Sequence, residues 1–235
     1  MNTAMILASI TVPGFFVNLD ADKWGDIGRA TLDTLLMVGG ALPPTLAIGL
    51  PLGIALYLCN TSPQHHHPLV YRMLALSVNL LRSVPFIILM IAMIPVTLLI
   101  MGTSLGIRGA ILPLVIGAAP FYARLVESAL REVDRGVVEA AQAMGATTWQ
   151  LVWRVLLPEA RPGLIAGATI TVITVVGFTA MGGAIGSGGL GDVAYREGYL
   201  RSHTDVALVT VVALLMVVQL MQMFGDWLVA HYSRR

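Results

Sequence analysis

Long stretches without charge constrain this chain more than any other feature. Thr34 to Cys59 contains no charged residue, and Val206 to Gly225 is equally bare. About 20 such residues, rising 1.5 Å each, cross a hydrocarbon core of about 30 Å. Backbone polar groups must be satisfied within the chain at that depth, so these runs read as helices. Composition agrees: 57% of the 235 residues are hydrophobic and 11% charged, where a soluble domain carries about 25% charge. The sequence predicts an all-α integral membrane protein with one main domain.

Five spans are expected. The first covers Thr34–Cys59, with kinks at Pro43, Pro44 and Pro51 and close helix contact at Gly49 and Gly53. The second lies within about Met73–Met101 and carries Arg82 near one end. The third is placed near Leu105–Val126, with Arg108 and Arg124 snorkelling at its ends. Gly163–Gly191 is the fourth with its glycine-rich exit, Asp192–Asp205 a polar loop, and Val206–Gly225 the fifth. Residues 1–30 are set apart as an N-terminal extracytoplasmic or interfacial segment, and residues 31–235 as a single transmembrane domain. Met1–Asn18 lacks the basic start and cleavage site of a signal peptide.

Orientation follows from lysine and arginine. One side holds Arg72, Arg82, Arg124, Arg131, Arg135, Arg154, Arg161, Arg234 and Arg235; the other holds Lys23, Arg29, Arg108, Arg196 and Arg201. The richer side is read as cytoplasmic, which puts the N-terminus outside and the C-terminus inside.

Several function classes drop out. A net charge of +1 gives no case for nucleic-acid binding. The one cysteine, Cys59, rules out an intrachain disulfide and a cysteine metal cluster. His65-His66-His67 reads as a solvated loop, because adjacent side chains diverge and no further ligand lies nearby in sequence. Lys23 is the only lysine and no glycine-rich loop precedes it, so the chain has no P-loop to hydrolyse ATP. Ser187, between Gly186 and Gly188, has no membrane-embedded histidine as a base. The span interiors carry no carboxylate or histidine for ion coupling, which favours an external energy source.

The polar segment of about 127–161 alternates acids and bases with alanine and leucine, and reads as water-exposed helix. Within it stand Glu139-Ala140-Ala141, three residues, Gly145, nine residues, Val155, one residue, then Leu157-Pro158. Ala140 and Ala141 are small enough to let a helix sit deep in a partner's groove. Glu139 is expected near a helix start, where a carboxylate complements the dipole. Gly145 suits the turn between two short helices. Trp149, Leu151, Val152 and Val155 give the second helix an apolar stripe, and Pro158 is expected to stop it. The bland alternative is an ordinary surface hairpin.

That pattern resembles the EAA loop of bacterial ABC-importer permeases. Arg82-Ser83-Val84-Pro85-Phe86, Gly117-Ala118-Ala119-Pro120-Phe121-Tyr122-Ala123-Arg124 and Gly177-Phe178-Thr179-Ala180-Met181-Gly182-Gly183 are similar to helices two to four of methionine-uptake permeases. The resemblance implies a type I importer permease in the inner membrane, paired with a second copy of itself. It implies two ATPase subunits that hold the ATP and magnesium, and an extracytoplasmic substrate-binding protein; the permease itself then carries no catalytic residue, cofactor or metal. It assigns ATPase coupling to Glu139, Ala140, Ala141, Gly145, Val155, Leu157 and Pro158. Gate and path fall to Met181, Phe178, Gly182, Ser83 and Pro85, though Met181 equally suits simple packing. The expected cargo is methionine, its D-isomer or derivatives. A permease for another small amino acid or osmolyte, and a passive channel or scaffold, stay open as alternatives.

Overall fold

A computed structural model of the chain describes residues 19–61 and 68–233. The Met1–Asn18 segment, His65-His66-His67 and Arg234-Arg235 lie outside the described residues. The elements are α1 (Ala21–Thr61), α2 (Pro68–Ser83), α3 (Phe86–Ala92), α4 (Ile94–Met101), α5 (Gly106–Arg131), α6 (Arg135–Ala143), α7 (Thr148–Gln150), α8 (Leu157–Glu159), α9 (Arg161–Gly183), α10 (Gly189–Val193) and α11 (Thr204–Ser233). Wider π-type turns join α7 to α8 over Leu151–Leu156 and follow α10 over Ala194–Leu200. No strand occurs among the described residues.

Among the described residues four helices are long and apolar enough to cross a membrane, and a bent pair makes a fifth if it counts as one broken span. The first is longer than its uncharged run: α1 has 41 residues and includes the polar collar from Asp22 to Asp33. Ile27 and Ala30 of that collar bury against Leu190, Val193 and Val206. The division expected at residue 30 therefore falls inside a helix, at a buried alanine. Pro43, Pro44 and Pro51 all lie within this one helix. Gly49 and Gly53 face α5 as their spacing predicts. A Cβ on Gly53 would stand 2.5 Å from the Ala123 carbonyl oxygen and from Val126 Cβ, so only glycine permits that approach.

The second span departs most from expectation. It is broken at Ser83-Val84-Pro85, and α2 and α3 meet at 99°. Proline disfavours a helical conformation in the residue before it, so the helix ends there and restarts at Phe86.

Charge is also less exposed than the sequence reading held. Glu127, taken as the start of a water-exposed segment, is buried on α5. Its carboxylate accepts from Arg124 at 2.7 Å and Arg131 at 2.5 Å. Arg124 does not snorkel away; it also donates to the Ala75 carbonyl at 3.1 Å and Asn79 Oδ1 at 2.9 Å, tying α2 to α5. The expected polar loop Asp192–Asp205 is largely helical and buries Glu197 and Asp205. Glu197 pairs with Lys23 at the start of α1 and with Arg201 at 2.8 Å. The exit after α9 folds back tightly: a Cβ on Gly183 would lie 2.2 Å from the Asp192 amide nitrogen.

Among the described residues four core clusters fill the bundle, the smallest being Leu56, Val78 and Ala123. Met37, Phe86, Leu114, Val175 and neighbours fill the middle. Tyr57, Val126, Leu130, Leu151 and Leu156 fill the end that carries α6. The Ile27 cluster closes the opposite end.

Candidate functional site

The polar hairpin is built by three local devices. Asp134 caps α6, its Oδ1 accepting from the Gly136 amide at 2.6 Å and the Val137 amide at 3.4 Å. Gly145 ends the helix at φ +79°, the left-handed region. Its amide donates to the Gln142 carbonyl at 2.9 Å, and the Ala146 amide to the Ala141 carbonyl at 3.1 Å. This paired closure is the Schellman motif, which favours glycine at that point. Thr147 and Gln150 then cap α7 reciprocally, Thr147 N–H to Gln150 Oε1 at 2.9 Å and Gln150 N–H to Thr147 Oγ1 at 3.3 Å. The sequence reading missed that box, though Thr-x-x-Gln was there to see.

The expected coupling residues sit together on this hairpin but divide between two faces. Ala141 is buried against the chain's own core, with Leu151, Val152 and Leu156. Ala140 and Glu139 are exposed. Only one of the two alanines is therefore free to enter a partner's groove. Glu139 lies beyond the first turn of α6, so Asp134 rather than Glu139 complements the helix start. Glu139 instead lines a cavity of about 520 Å³ with Tyr57, Asn60, Arg131, Arg135 and Gln142. Val155, Leu157 and Pro158 are half-buried. Pro158 does not stop the second helix: helical backbone continues through α8, and Leu157 donates its amide to the Val152 carbonyl in the wider turn.

Trp149 does not join the inward stripe of Leu151 and Val152. It is 70% exposed and stands 5.2 Å from Trp153, with Met144 83% exposed nearby in sequence. The hairpin thus presents an apolar rim on a base that its own core holds rigid.

The expected path residues gather elsewhere, near the break in the second span. Ser83 and Pro85 are exposed at the break itself. Phe178 of α9 stacks on Phe86 of α3, with ring centroids 4.2 Å apart and planes 3° from parallel. Met181 is half-exposed. Gly182 points the other way: it is buried, and a Cβ there would meet Ser187 Oγ at 2.8 Å and Met90 Sδ at 3.2 Å. Within this subunit it is packed against Ser187 and Met90 rather than exposed beside Met181.

A helical bundle with one broken span and a rigid, apolar-rimmed hairpin outside it is the form of a transporter's membrane subunit. The pattern of one family, the inner membrane component of binding-protein-dependent transport systems, matches residues 49–235, and the chain belongs to that family. Among its relatives is the methionine import system permease protein MetP of Bacillus subtilis, 44% identical over 221 residues, which are 94% of this chain and 98% of that protein. The probable D-methionine transport system permease protein MetI of Vibrio cholerae is 50% identical over 206 residues, 88% of this chain and 92% of its own length. A chain of the MetNI methionine ABC transporter, solved in inward-facing conformations, superposes with a TM-score of 0.88 at 45% identity. The match covers 91% of this chain and 99% of that one. An amino acid ABC transporter at 15% identity and a TM-score of 0.65 shares the fold alone. The fold is that of type I ABC importer permeases.

Proposed function

We propose that this chain carries methionine, its D-isomer or derivatives across the bacterial inner membrane as one half of a two-fold permease. The identity to methionine permeases over nearly the whole chain supports this cargo. Two separate ATPase subunits bind ATP and magnesium and dock on the α6–α7 hairpin. A substrate-binding protein delivers cargo on the other side. The N-terminus lies outside and the C-terminus in the cytoplasm, following the arginine asymmetry. ATP binding draws the two hairpins together, and each half turns as a rigid body between inward- and outward-facing states.

The observation that carries the coupling role is the hairpin's construction. Its inner face belongs to the core, so a push on the rim moves the helices behind it rather than bending the loop. Glu139, Ala140, Ala141, Gly145, Val155, Leu157 and Pro158 form this lever, with Met144 and Trp149 as its contact rim. Ser83, Pro85, Phe178 and Met181 line the path, and Met181 and its copy in the second subunit form the outer gate.

The test is capture of the cognate ATPase by wild-type chain, by Glu139→Lys with Gly145→Pro, and by Trp149→Glu, whose exposed position spares the fold. Both variants are expected to lose the ATPase while still inserting in the membrane. Unchanged capture would favour a passive channel or scaffold. Purified complex in liposomes, given ATP and its binding protein, is expected to take up methionine. Uptake of another small amino acid or osmolyte instead would replace the cargo.

A further inference from the structure

The break in the second span places a charged side chain and bare backbone where neither suits lipid. α2 runs antiparallel along α5: Tyr71 reaches Glu127 at 3.4 Å, Asn79 meets Arg124 at 2.9 Å, and Arg82 lies over Phe121 with 5.5 Å to the ring centroid. Phe121 is about 15 Å along α5 from Arg131 at 1.5 Å per residue, near the middle of the helix. Phe121 is also three residues before Arg124, so Arg82 sits at the charged end of the uncharged run 109–123 of α5. Among the described residues no carboxylate pairs with it. Ser83, Val84 and Pro85 beside it are exposed, and Val84 and Pro85 are non-helical. Exposed irregular backbone and a guanidinium without a carboxylate partner suit a water-accessible cavity rather than lipid.

A cavity of about 260 Å³ opens there, lined by Arg82, Phe86, Leu89, Phe121, Thr174 and Phe178 among others. Its chemistry is asymmetric. One wall is the guanidinium, a fork of donors with no acceptor. Another is the stacked Phe86–Phe178 pair. Thr174 Oγ1 already donates to the Ile170 carbonyl at 2.8 Å, so its lone pairs are left to accept. Thr174, Phe178 and Met181 stand at i, i+4 and i+7 on α9, which puts them on one face. The cavity thus lies within about two turns of Met181 along that face, Phe178 being less than one turn away.

Resting on the methionine-import reading, we propose that this cavity is a transit site for the amino-acid substrate within each subunit. Arg82 takes the α-carboxylate through charge-assisted hydrogen bonds. Thr174 accepts from the α-ammonium. The thioether lies against the aromatic rings, where sulfur–aromatic contact is favourable. The break at Ser83-Val84-Pro85 keeps the guanidinium at the mouth rather than buried in a continuous helix.

The test uses the whole complex in proteoliposomes, with uptake of methionine and ATP hydrolysis measured together. Arg82→Gln is expected to lower methionine moved per ATP by about tenfold or more, the effect of losing a charge-assisted hydrogen bond. Arg82→Lys, which keeps the charge, should recover part of the transport. A diazirine analogue of methionine should cross-link to residues 82–89 and 174–178, be displaced by methionine, and lose that label in Arg82→Gln. Wild-type uptake with unchanged transport in Arg82→Gln, or methionine-sensitive labelling elsewhere, overturns the site and leaves the import reading standing. No methionine uptake by the wild-type complex overturns the import reading and the site with it.

Discussion

Glu197 shows how a single carboxylate holds two distant parts of the chain. It is buried in the turn after α10, where it accepts from Lys23 at the start of α1 and from Arg201. The hydrogen bond from Lys23 holds its carboxyl below the ordinary 4.5, against the opposing pull of desolvation. The folded state therefore binds the proton less readily than the unfolded chain does, and the pair stabilises the fold above pH 4.5. That contribution fades as pH falls through the lowered folded value. Comparing thermal midpoints of wild type and Glu197→Gln in detergent checks this. The gap between them is expected to hold from neutral pH to about 5 and to close on further acidification. A constant gap would mean that the ion pair contributes nothing. Neither Glu197 nor Glu127 is legible as buried in the sequence. A lone charge in a polar run reads as solvated; the i±3 and i±4 arginines are legible as partners, but the contacts from Lys23 and Tyr71, distant in the chain, are not.

At the scale of elements, what the sequence reveals depends on whether the cause is local. The α6–α7 hairpin is readable because Gly145 and the Thr147–Gln150 box act within one turn. The approach of α1 to α5 is readable because Gly49 and Gly53 share a helix face. The 99° turn at Ser83-Val84-Pro85 is hidden, because a proline is tolerated inside α1 and α5 alike. The inward and outward faces of the hairpin are hidden for a related reason: alanine and tryptophan fit either side, and only the core from α1 and α5 decides. Gly53 gives a sharp test of the α1–α5 contact. A Cβ there overlaps backbone and Val126 Cβ rather than a flexible side-chain tip. Gly53→Ala is expected to destabilise the protein by about 1–3 kcal/mol, seen as a lower melting midpoint by size exclusion. Gly39→Ala, with open space around it, should leave the midpoint unchanged.

For the whole molecule, the hairpin and the proposed path are separate regions joined by nearly continuous helix. The second arm of the hairpin runs through α8 almost without interruption into α9, which carries Thr174, Phe178 and Met181. On the proposed function a displacement at the rim would reach the path along one rod, and the wider turn at Leu151–Leu156 is anchored by Leu151, Val152 and Leu156 in the core. On this view Met181, half-exposed on α9 and unfilled by its own chain, meets its copy across the two-fold axis and closes the outer side until ATP draws the hairpins together. Met181→Ala shortens the plug without disturbing a buried contact, so the protein should fold and bind its ATPase normally. Methionine preloaded into proteoliposomes is then expected to leak several-fold faster without ATP, and ATP hydrolysis to depend less on the loaded binding protein. If the leak and the hydrolysis both match wild type, Met181 is only a packing residue, and closure must be sought in other residues on the exposed face of α9.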